Sequence, residues 1–142
     1  MNKKTLIILM AAAAVIAAVI LISPDSRGES IPEKTVLPAS NAAERIDYFA
    51  SHGWDVEEIS GKDIIIPSQF STAYDEYVEI QDKQGLPLRS FAGKEAQLYV
   101  YDVKNYSPEN RKMLAELIVC DNIIAASLVY SDDGGSVRMS VV

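Results

Sequence analysis

Cysteine, histidine and tryptophan each occur once in these 142 residues, as Cys120, His52 and Trp54. That scarcity removes whole classes of chemistry. A lone cysteine forms no internal disulfide, so the fold must hold by packing alone. One histidine and one cysteine make no zinc set, and a Ser-His-Asp arrangement would rest entirely on His52. No glycine-rich phosphate loop is present. Basic charge is also short, with 13 Lys and Arg against 20 Asp and Glu. With no basic stripe interleaved with aromatics to displace counterions, nucleic acid is excluded as a partner. Cys120 ends the apolar run LIVC and reads as a small buried hydrophobe without the cationic neighbours of a reactive thiol.

What the chain does have is an uncharged apolar run from Leu6 to Ile22, preceded by Lys3 and Lys4. As a helix it spans about 26 Å at ~1.5 Å per residue, near the lower limit for a hydrocarbon core of roughly 30 Å. The positive-inside bias keeps the N-terminus cytoplasmic and exports everything after Ser23. A cleaved secretory signal begins in the same way. The run is longer than a typical signal core of about 7 to 15 residues, however, and no small-x-small pair follows it, so an uncleaved anchor is the expectation. Removing Lys3 and Lys4 leaves 11 basic residues against 20 acidic ones, a formal charge of −9 on the exported part.

Residues 23–39, with Pro24, Pro32 and Pro38, read as a linker that would hold the following domain on the order of 20 to 25 Å from the bilayer. The domain then occupies residues 40–142. Asn41 caps a first helix, with Glu44 placed to complete a capping box, and Ala42, Ile46, Phe49 and Ala50 share one face. Gly53 closes it in the left-handed position. His52, in the last turn, reads as a polar group favourable at the negative helix end rather than as a catalyst. Trp54 to Glu58 and Lys62 to Ile66 suggest strands. A second helix opens near Ser68 after Pro67, carries Phe70, Tyr74, Tyr77, Val78 and Gln81 at helical spacing, and stops at Gly85. The remainder is β-rich. Ala96 to Tyr106 is apolar on both faces, Met113 to Cys120 and Ile123 to Tyr130 pair through a tight turn at Asp121 and Asn122, and Val137 to Val142 adds an edge strand.

The helix NAAERIDYFASHGWDV and the stretch FSTAYDEYVEIQDKQGLPLRSFAGKEAQLYVYDVKNY together resemble a family of short membrane-anchored bacterial proteins classed as a domain of unknown function. The shared pattern is an ERI helix ending in Gly-Trp-x-Val, from Glu44 to Val56, then a Tyr-x-x-Tyr helix ending Gln-Gly, from Tyr74 to Gly85. A Tyr-x-Val-x-Asn-Tyr strand, from Tyr101 to Tyr106, completes it. The final SDDGGSVRMSVV departs from that pattern. The resemblance implies the fold and the membrane address and transfers no catalytic residue.

These readings combine into an α+β domain, two helices on one face of a roughly four-stranded antiparallel sheet, behind one N-terminal transmembrane helix. No catalytic, cofactor-binding or metal-binding residue is assigned. Asp132, Asp133 and Gly134 resemble a fragment of a calcium loop without its remaining ligands and read as a turn. The expected function is noncatalytic binding of an envelope protein or a cell-wall component. Two rivals remain: a wall-directed hydrolase using carboxylates such as Glu57, Asp102 or Glu116, and a ligand-holding roll lined by Tyr74, Tyr77 and Tyr101.

Overall fold

The computed structural model describes residues 36–142. The proposed membrane segment Leu6–Ile22 lies outside the described residues, as does most of the linker. Among the described residues no helix is long and apolar enough to cross a membrane.

Among the described residues, two α-helices and five strands follow in the order α1 (Ala42–Ser51), β1 (Val56–Ile65), α2 (Asp75–Lys83), β2 (Glu95–Val103), β3 (Met113–Cys120), β4 (Ile123–Ser131) and β5 (Arg138–Met139). The strands form one antiparallel meander in sequence order. Asn41 caps α1 by accepting the Glu44 backbone N–H at 2.9 Å. Glu44 reaches back as a capping box requires, but to the Ser40 backbone N–H at 2.9 Å and the Ser40 hydroxyl rather than to Asn41's own N–H. Gly53, at φ +86, ends the helix in a Schellman closure, with Gly53 N–H on Ala50 and Trp54 N–H on Phe49.

The helices do not share a face. Phe49 and Tyr48 of α1 pack with Tyr101, Met113, Ala115 and Leu117, whereas Val78 of α2 packs with Ala96, Ile118, Cys120 and Ala126. Met113, Ala115 and Leu117 alternate along β3 with Ile118 and Cys120's side of the strand, so the two clusters lie on opposite sides of the sheet. The expectation of two helices covering one face of four strands is corrected in both respects. The cause is the composition of β2 and β3, which are apolar on both sides and require cover on both.

The segments expected as strands at 54–58 and 62–66 are one strand, β1, with its register shift between Glu58 and Ser60. Gly61 does not break it; the Tyr99 ring on the neighbouring strand packs against it, 3.0 Å from where a Cβ would stand. Arg45 stacks on that ring at 3.8 Å and pairs with Glu58 at 3.0 Å. The helix expected from Ser68 begins later, after a short 3-10 turn at Thr72–Tyr74. The last strand shortens to two residues, and the tail beyond it is held by Trp54 Nε1 donating to the Val141 carbonyl at 2.8 Å.

Beyond the end of β5, the edge of β4 is closed by α2. Gln81 is fully buried, donates to the Ser127 carbonyl at 2.7 Å and accepts the Ser127 N–H at 2.8 Å. Its amide thus stands in for a neighbouring strand. At the chain entry, Pro38 bridges Ile123, the Ala39 N–H donates to Asn122, and Leu37 accepts the Ile124 N–H at 2.9 Å.

Candidate functional site

The side of the sheet that faces α2 carries a groove of about 520 Å³. Strand alternation builds its floor. Glu116 stands opposite Val100 and Leu128, on the same face as Ile118 and Tyr130. Tyr77, on the inward stripe of α2, forms one wall, with Tyr74 and Phe70 in edge-to-face contact beyond it. Ile64 and Ile66 form the other wall, and Ile65 and Tyr74 are exposed at the rim. Arg138, paired with Glu76 at 3.6 Å, is also at the rim.

One polar contact marks the floor. Tyr77 Oη donates to Glu116 Oε2 at 3.1 Å. Burial raises the Glu116 carboxyl above its ordinary range, and the hydrogen bond from Tyr77 works against that rise. Burial and the Glu116 charge in turn hold the Tyr77 phenol well above its usual value, and the Tyr130 phenol is raised for the same two reasons, with Asp132 adding to them. A carboxylate and two phenols in an apolar groove offer an electrostatic feature for a ligand without a nucleophile and base in register.

The carboxylates considered from the sequence separate. Glu57 on the edge strand β1 and Asp102 on β2 are cross-strand partners and share one cation, with Lys104 at 3.3 Å and 2.8 Å respectively. Lys104 holds the Asp102 carboxyl below its usual range, the opposite of what a general acid needs. Asp102 and Glu116 occupy the same face at diagonal ladder positions, but Asp102 is not part of the groove. The three tyrosines separate as well. Tyr74 and Tyr77 line the groove, whereas Tyr101 is fully buried on the other side, its ring 4.8 Å from Phe49 and its hydroxyl donating to Glu58.

Tyr130 and Arg138 were missed from the sequence; the only signal for Tyr130 is its alternation with Val129 in β4. Glu116, the one charge inside the apolar strand MLAELIVC, was visible as an anomaly. Asp133 accepts hydrogen bonds from the Ser131 and Ser136 hydroxyls and the Ser136 N–H, which makes it the organiser of the β4–β5 turn. His52 lies at the C-cap of α1 in edge contact with Tyr48. Cys120 is buried and its thiol is raised by burial first and by Asp121 second. Among the described residues no group of three or more His, Cys, Asp or Glu side chains is placed to hold a metal ion.

Comparison with known protein families, with curated proteins and with solved structures finds no match to this chain.

Proposed function

We propose that this chain is a noncatalytic binding module held outside a bacterial membrane by Leu6–Ile22, and that the groove between α2 and the sheet is its binding site. The observation that carries the reading is the groove itself: about 520 Å³, walled by aliphatic and aromatic side chains, with one carboxylate on its floor. Ligand sites have this composition, a mostly apolar cavity with few convergent polar groups. The tether motivates the class of partner, a membrane-proximal protein or another component of the cell envelope.

Site-specific photocrosslinking in living cells tests it. A photoreactive residue in place of Tyr74, at the groove rim, is expected to trap one reproducible envelope component. The same residue in place of the exposed Lys62 on β1 is expected to trap none. Failure of the Tyr74 position to give a reproducible product, or identical products from both positions, overturns the assignment.

A further inference from the structure

The groove's floor specifies a charge. We infer that the groove receives a ligand with an apolar body and a cationic amine head, and that the head sits against Glu116 between the rings of Tyr77 and Tyr130. This rests on the binding role of the groove proposed above and names the class of ligand.

Among the described residues, Glu116 forms no ion pair. Its one hydrogen-bond partner is the Tyr77 hydroxyl, which engages Oε2 alone. The one cation among the groove's lining residues, Arg138, is paired with Glu76 at the rim. No buried side-chain oxygen or nitrogen lacks a partner among the described residues, so the uncommitted Oε1 is open to the groove rather than sealed in the core. A carboxylate in apolar surroundings gains most from a cation that brings both charge and donors to that oxygen.

The walls favour the same class. Tyr77 and Tyr130 flank the carboxylate and Tyr74 and Phe70 lie further out, and aromatic faces attract an ammonium group. Ile64, Ile66 and Leu88 line the remainder and suit an aliphatic or aryl body. An anionic ligand meets the Glu116 carboxylate, and among the described residues the one cation lining the groove, Arg138, is already paired with Glu76 at the rim. The exported charge of −9 also raises the local concentration of cations over that of anions.

The test uses the full chain in nanodiscs of zwitterionic lipid, with empty nanodiscs as blank, titrated at pH 7 with 4-phenylbutylamine, 4-phenylbutanol and 4-phenylbutyrate. These probes share one apolar body and differ in the charge of the head. Binding is read from the NMR shifts of Tyr77 and Tyr130. The amine is expected to bind about tenfold more tightly than the alcohol, and the acid most weakly. Glu116→Gln, which keeps an acceptor for Tyr77, is expected to bring the amine to the level of the alcohol. Equal binding of amine and alcohol by the unaltered chain, or an amine preference that survives Glu116→Gln, overturns the cation inference while leaving the groove a binding site. Failure of all three probes overturns the binding role of the groove as well. The ranking on the unaltered chain needs no variant, so it decides the matter even if Glu116→Gln does not fold.

Discussion

Gln81 is a fully buried amide on a helix of mostly charged residues, and its position is explained by one pair of backbone groups 46 residues away. The Ser127 N–H and carbonyl, left unpaired where β5 ends, are satisfied by the Gln81 side chain, with Gln84 adding a second donor to the carbonyl at 3.1 Å. Gln81→Leu keeps the volume and orphans the N–H. Urea denaturation should show a loss of about 1 to 3 kcal/mol, the range for a buried polar group without a partner. Two carboxylates should respond to pH in opposite directions. Asp133 is held at about 2, below its ordinary 3.8, first by the Ser131 hydroxyl and then by Ser136. Its contribution is therefore complete above the unfolded value and is lost as pH falls from 3.8 toward 2, so the melting temperatures of the natural chain and Asp133→Asn should converge over that interval. Glu116 has its folded pKa raised, so ionising it opposes folding. Glu116→Gln should melt higher than the natural chain at pH 7, with the difference fading as pH falls through the raised folded value and gone by about 4.5, the ordinary value. Tyr77 from α2, Tyr130 from β4, Asp102 diagonally across on β2 and the Arg138–Glu76 pair at the rim are the titratable groups around it, and the two phenols stay neutral throughout this range.

Elements whose ends follow local rules were legible in the sequence, and those shaped by distant contacts were not. Asn41, Gly53 and Gly85 mark helix ends through bonds to residues three to five positions away, and the structure keeps all three. The β3–β4 turn is of the same kind: Asp121 and Asn122 adopt φ of 52° and 62°, the paired left-handed conformation of a two-residue hairpin. Because Asn122 is exposed and tolerates rather than prefers that conformation, Asn122→Gly should stabilise the domain by about 0.5 kcal/mol, measurable as a higher denaturation midpoint with an unchanged slope. By contrast, the reading of 54–58 and 62–66 as two strands could not know that the Tyr99 ring on the neighbouring strand would pack over Gly61 between them. The Tyr-x-x-Tyr stripe of α2 identified an inward face, but helical period alone does not say which side of a sheet the helix meets. Half of the candidate site was visible for this reason: Tyr74, Tyr77 and Glu116 stand out in their own segments, whereas Tyr130 and the exclusion of Tyr101 follow only from strand alternation in the assembled sheet.

At the scale of the molecule, the sheet is built of neighbours in sequence, and only the 66–94 connection between β1 and β2, which carries α2, interrupts the meander. Both of its faces are covered within this one chain, as the α1-side and α2-side clusters show. The proposed tether makes a separate prediction for the whole protein. Alkaline carbonate washing should leave the chain with the membrane fraction, and removing residues 6–22 should release it. The two margins of the sheet differ. On one, β5 is two residues long and Gln81 occupies the groups of β4 beyond it. On the other, β1 runs for ten residues and is exposed from 57 to 63. A sheet of this kind has a valence of one. Two molecules joined along their first strands would have no second margin left to offer, so accretion by that route halts at a pair and a filament of such sheets has no way to grow.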